Sequence, residues 1–133
     1  MNAEFDDIKA LASARYGGAV AQAGEGIFSV AMEGMTVFFA RLPGDPSFVL
    51  VRTKVLSLGD VPRRGAFARA ALAGGFFWGG TRGATLSVGA DDALYLTERR
   101  AVDELSDGDA LDACLDEFAL TAADWRERSR LYA

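Results

Sequence analysis

Between Ile27 and Leu58 strand-forming runs alternate with turn chemistry, and this pattern limits the fold more than any other stretch. Ile27 to Met32, Met35 to Arg41 and Ser47 to Leu58 are rich in β-branched and aromatic residues. Glu33-Gly34 separates the first two runs, and Pro43-Gly44-Asp45-Pro46 separates the last two. A two-residue break ending in glycine suits a tight hairpin, and the longer break suits a longer one. The stretch predicts a three-stranded antiparallel meander. Strand residues alternate between faces, so Val37 and Phe39 point one way while Thr36, Phe38 and Ala40 point the other. In the third run Val49, Val51, Thr53 and Val55 share one face, with Phe48, Leu50, Arg52, Lys54, Leu56 and Leu58 on the other. Both faces are largely apolar. A chain of 133 residues has too few helices to cover both, which is a first sign of a protein that binds partners.

The flanking segments read as covers for this sheet. Glu4 to Arg15 is predicted helical: Phe5, Ile8, Leu11 and Ala12 form one stripe, and Asp6 and Asp7 favour a helix N-terminus. Gly17-Gly18 ends it, and Ala19 to Gly26 receives no firm assignment. Gly59-Asp60-Val61-Pro62 is a turn, followed by a second helix from Arg63 to about Trp78. Its stripe of Phe67, Ala70, Ala71, Gly74 and Phe77 or Trp78 mixes bulky anchors with residues small enough to admit another backbone. Packing against the sheet and helix–helix dimerisation both fit that stripe. Ala84 to Val88 and Ala93 to Glu98 read as a two-stranded hairpin closed by Gly89-Ala90-Asp91-Asp92. Ser106 is the expected cap of a last helix of roughly 20 residues, bent near Leu120-Thr121, whose Leu111, Leu115, Phe118, Ala122 and Trp125 recur at helical spacing. The expected class is α+β, with helix, meander, helix, hairpin and helix in one domain spanning residues 1–133.

Composition narrows the function by exclusion. The chain has no histidine, which removes the commonest general base and metal ligand, and with them any Ser-His-Asp or Cys-His arrangement. One cysteine, Cys114, cannot build a thiolate zinc site or an internal disulfide, and it suits a buried role in a reducing cytoplasm. Gly74 to Gly80 is glycine-rich but follows a helix and lacks the Lys-Ser/Thr ending of a phosphate loop. The carboxylates from Asp103 to Glu117 do not follow the EF-hand pattern. No catalytic, cofactor-binding or metal-binding residue is assigned. A net charge of −5 disfavours nucleic acid, no apolar run reaches the roughly 20 residues of a membrane span, and the acidic start is unlike a signal peptide. A small-molecule binder or enzyme using Asp and Arg side chains in a sheet-lined cleft stays open, to be revived by a pocket with strongly shifted carboxylates.

Four strings then acquire a common meaning: GIFSVAMEG (26–34), FVLVRTKVLSLGDVP (48–62), ALAGGFFWGGTRGATLSVGADDALYL (71–96) and LDACLDEFALTAADWRE (111–127). With the order of elements, and with Thr81-Arg82-Gly83-Ala84-Thr85-Leu86 entering the fourth predicted strand, the chain resembles class I type III secretion chaperones of the Tir-chaperone type. The resemblance implies a non-catalytic cytoplasmic homodimer without cofactor that binds the N-terminal segment of a secreted effector in extended form. It implies a dimer interface on Phe67, Ala70, Ala71, Gly74 and Phe77, and effector-binding grooves on Phe5, Ile8, Phe28, Val30, Val37 and Phe39. An adaptor or regulatory module of the same fold, not tied to secretion, is the alternative.

Overall fold

A computed structural model describes residues 4–32, 34–76 and 84–133. Three helices, α1 (Phe5–Tyr16), α2 (Arg64–Phe76) and α3 (Gly108–Ser129), accompany six strands. The strands are β1 (Val20–Gly24), β2 (Ile27–Met32), β3 (Met35–Arg41), β4 (Phe48–Ser57), β5 (Thr85–Val88) and β6 (Ala93–Ala101). They form one sheet in the order β1-β2-β3-β4-β6-β5. The predicted meander and hairpin are therefore both present, joined in a single sheet, and the class is α+β. β1 is an addition: it pairs antiparallel with β2 from Val20↔Val30 to Gly24↔Ile27, with a bulge between Gln22 and Gly24. Chain contacts divide the protein into two compact units, Met1–Arg52 with Arg99–Asp116 and Thr53–Glu98 with Glu117–Ala133.

In the first unit the turns do what their residues dictate. Met32 pairs with Met35 across the first break, and Gly34 takes φ 78°, a conformation that a side chain would disfavour. The core then forms on one parity of the strands. Phe28, Val30, Met35, Val37, Phe39, Val49 and Val51 are buried, and α1 lays Phe5, Ile8 and Ala12 into the same core. Phe5 tilts onto Phe28 at 5.4 Å between ring centres, and Phe28 stacks on its cross-strand partner Phe39 at 4.9 Å. Such ring pairs contribute about 0.5–1.5 kcal/mol beyond the area they bury. The start of α1 is fixed by the Asp7 carboxylate, which accepts the Glu4 N–H at 2.8 Å.

The second unit packs around Phe67 of α2, which is fully buried and meets Trp125 of α3 edge-on at 6.2 Å and Tyr132 at 5.4 Å. Arg126 reaches the sheet through an N–H donated to the Val55 carbonyl at 2.6 Å. The β5–β6 turn closes with Gly89 N–H donating to the Ala93 carbonyl at 2.9 Å, and Asp92 holds φ 58°. A Cβ on Gly89 would approach the Asp91 carboxylate and the Tyr95 ring to 2.7 Å, so a larger residue there would force those side chains to shift.

One capping expectation is corrected. Ser106 Oγ donates back to the Asp103 carbonyl. The Asp107 carboxylate is what accepts the Ala110 N–H at 2.8 Å at the start of α3. Asp107 sits directly before the first helical residue and Ser106 is one place too early to reach the third. Asp107→Ala should lower unfolding free energy by about 1 kcal/mol in urea titration, while Ser106→Ala should change it by less than about half that. The helix also runs without a break through Leu120-Thr121.

Candidate functional site

The six residues expected to form an effector groove are brought together, but as the core of the first unit. Phe5, Ile8, Phe28, Val30, Val37 and Phe39 are all buried by this chain's own packing. A partner reaches them only if α1 or the sheet moves. The opposite parity of the same strands is the accessible one. Phe38 is 38% exposed, Ala31 is exposed, and Ile27, Thr36, Ala40 and Leu50 are half-buried. Cross-strand pairs Ile27↔Ala40, Ser29↔Phe38 and Ala31↔Thr36 place these side chains on one continuous surface. Its polar members are the signal that sequence reasoning passed over. Ser29, Thr36 and Arg52 fall on the parity of Phe38, whereas the parity of Phe28 and Phe39 is mostly apolar, with Arg41 and Thr53 as its polar members.

On α2, Phe67 and Ala71 are buried and Ala70 is half-buried. Gly74 lies late in the helix, and Phe77 lies outside the described residues. The outward side of α2 carries Leu72, 48% exposed, next to exposed Ala73. An exposed leucine among small residues offers a second backbone a close approach.

A cleft of about 320 Å³ opens beside the start of α1, lined by Glu4, Phe5, Asp6, Arg41, Pro46 and Phe48. Arg41 lies over the Phe5 ring at 5.2 Å and pairs with Asp6 at 3.1 Å. Asp6 and Arg41 of the cleft are thus paired with each other.

The strongest titration effect lies at the junction of α1 and α3 within the first unit. Asp112 accepts two N–H bonds from the Arg15 guanidinium, at 2.9 and 2.6 Å, and the Tyr16 hydroxyl as well. The bond from Arg15, followed by that from Tyr16, holds the Asp112 carboxyl down at about 2. Burial first, and then Asp112, pushes the Tyr16 phenol up. The Arg15 tip also fills the space beside Gly108, where a Cβ would collide with the guanidinium. This is a clasp between two helices. A carboxyl whose folded pKa lies below the unfolded value near 3.9 stabilises the fold above about pH 4, and that contribution is lost as pH falls through about 2. Asp112→Asn should therefore narrow the difference in melting temperature between pH 5 and pH 2.5, measured by circular dichroism.

Among the described residues no cluster of three or more Asp, Glu, His or Cys side chains could hold a metal ion, and no helix is long and apolar enough to cross a membrane. Cys114 is buried.

No family model and no curated protein sequence matches the chain. Solved structures do. A chain of the ExsC–ExsE complex superposes with a TM-score of 0.73 at 19% identity, over 99% of this chain and 97% of its own length. A chain of the HopA1–SchA chaperone–effector complex gives 0.68 at 12% identity, over 92% and 91%. The complex of the Yersinia pestis type III secretion chaperone SycH with a stable fragment of YscM2 gives 0.52 at 12%, over 87% and 97%. The matches span nearly the whole of each chain, so the likeness is to the fold as a whole. The chain has the α+β fold of type III secretion chaperones.

Proposed function

We propose that this protein is a non-catalytic secretion chaperone. It works in the bacterial cytoplasm as a homodimer and holds the N-terminal segment of a secreted effector in extended, secretion-competent form. The observation that carries the reading is the near full-length likeness to a chain from a structure described as a chaperone–effector complex, and to one from a complex of a type III secretion chaperone. It is supported by a half-exposed apolar sheet face and by a sequence without histidine. The dimer would form through the outward side of α2, around Leu72. The effector segment would lie on the Phe38 face, with β1 at the sheet's edge able to accept a further strand. An extended client loses conformational entropy on binding, so a broad surface suits it better than a deep pocket. Holding a client unfolded requires no bond making, and no nucleotide or metal is assigned a part.

The test is affinity capture of the tagged full-length chain from its native host, with limited proteolysis and mass spectrometry of what it carries. One dominant protein, protected near its own N-terminus and protease-sensitive elsewhere, is the expected result. A partner that is compactly folded throughout would assign the chain instead to an adaptor of the same fold. Capture of nothing would count against the chaperone reading.

A further inference from the structure

The cleft of about 320 Å³ beside the start of α1 is walled by two phenylalanine rings, Phe5 of the helix and Phe48 at the start of β4, with Pro46 between β3 and β4. Each ring already carries an arginine. Arg41 lies over Phe5 at 5.2 Å, and Arg99 lies over Phe48 at 4.2 Å. Each arginine is held by a carboxylate, Asp6 at 3.1 Å for Arg41 and Asp45 at 3.7 Å for Arg99. Of the two cations it is Arg41 that lines the cleft, and its side chain is still 52% exposed. A guanidinium is planar: it stacks through its faces and donates through its edge. Arg41 has one face on Phe5 and its edge on Asp6, so its second face is what it offers to the cleft. An exposed ion pair of this kind adds little to stability, yet it fixes the guanidinium in place. The cleft also continues the accessible sheet face, because Phe48 is half-buried on the parity of Leu50, opposite buried Val49. Its volume lies at the small end of the about 300–1,000 Å³ of ligand sites, and a helix about 10 Å across does not fit it. One large side chain does.

We propose that this cleft is a subsite for one aromatic side chain of the client, tryptophan above all, its ring lying on the open face of the Arg41 guanidinium and against Phe48. This rests on the chaperone reading for the owner of the ring and adds an anchor to the broad surface. Tryptophan presents the best face to a cation, and Arg41 is already ordered by Phe5 and Asp6, so little freedom is lost when the ring arrives. An aliphatic side chain would meet the two phenylalanines and Pro46 but gain nothing from the guanidinium. A lysine would find Glu4 and Asp6, but Asp6 is paired with Arg41, and the Arg41 charge opposes a second cation. The subsite supplies what a flat apolar face lacks. An extended segment can slide along such a face, whereas one bulky residue seated in a defined cleft sets its register.

The test titrates the full-length protein with N-acetyltryptophanamide, N-acetylleucinamide and N-acetyllysinamide, reading backbone amide shifts by nuclear magnetic resonance. The tryptophan probe should shift the amides of Glu4, Asp6, Arg41 and Phe48 and bind about threefold or more tightly than the leucine probe. Arg41→Gln should bring that ratio to about one with circular dichroism unchanged, and Arg41→Lys, which keeps the charge without the flat face, should fall between. Phe48→Leu, which leaves Arg41 in place, should weaken the tryptophan probe more than the leucine probe. Equal binding of tryptophan and leucine, a preference for lysine, no shift at the cleft with any probe, or a ratio unmoved in folded Arg41→Gln would each overturn the inference. If the chain still captures an unfolded client from its host, the chaperone reading survives that failure. If it captures none yet prefers the tryptophan probe, the chaperone reading falls and the aromatic subsite stands.

Discussion

Phe39→Asp is expected to abolish folding, and Phe38→Asp, one residue away, to leave the fold intact and abolish client binding. Phe39 is fully buried, stacked on Phe28 and facing α1. Truncating such a ring to alanine costs about 3–5 kcal/mol, and a carboxylate in its place adds the penalty of an unpaired charge in an apolar core. Against a total stability of about 5–15 kcal/mol for a domain, that combination leaves little or nothing. Phe38 already meets solvent, so aspartate there adds no buried charge, and stability should move by about 1 kcal/mol or less. It would, however, set a carboxylate in the middle of the apolar surface proposed to receive the client. Far-ultraviolet circular dichroism with urea titration reads the fold, and retention of the captured client reads the surface. A folded Phe39→Asp variant that loses only its client would reverse the assignment. The inner cluster would then be the groove, with α1 moving aside to admit the partner.

That contrast marks where sequence reasoning reached its limit. The meander was legible because its runs combine strand-forming side chains with glycine and proline at the breaks, and the α3 stripe was legible because Leu111, Leu115, Phe118, Ala122 and Trp125 keep helical spacing and are all buried. Which parity of the sheet faces inward was harder to read, since both contain phenylalanine. The bulkiest apolar residues were assigned to the partner, yet the strongest hydrophobic drive is the one most readily met inside the chain. The half-polar parity of Thr36, Phe38 and Arg52 is the more accessible one, although Ser29 on the same side is buried. β1 escaped notice for a different reason. Val20–Gly24 is mostly small and exposed, and it is a strand because its backbone groups find partners on β2. Backbone pairing of that kind leaves no trace in side-chain periodicity. At α3 the competition was between adjacent capping residues, and the helix start at Gly108 favours Asp107.

The same inward-versus-outward distinction yields the sharpest expectation for assembly. Leu72→Glu should convert the proposed dimer to monomer without unfolding the chain, whereas Phe67→Ala should cost about 3–5 kcal/mol of stability. Phe67 is enclosed by Trp125 and Tyr132 within its own unit, so a change there acts on the fold first and on association only as a consequence. Leu72 is about half exposed on the outward side of α2, beside Ala73. A leucine at the centre of an interface is seated in a dry, well-packed pocket, and a carboxylate there has to shed its water without finding a partner. In a two-fold dimer built on this helix the change enters twice, once from each copy, so a modest penalty per copy becomes a weakening of about a hundredfold or more. Sedimentation equilibrium across a concentration series, with thermal melting of the same samples, separates the two effects. A dimer that survives Leu72→Glu undiminished would remove α2 from the interface and direct the search for contacts elsewhere, with exposed Leu120 of α3 the first place to look.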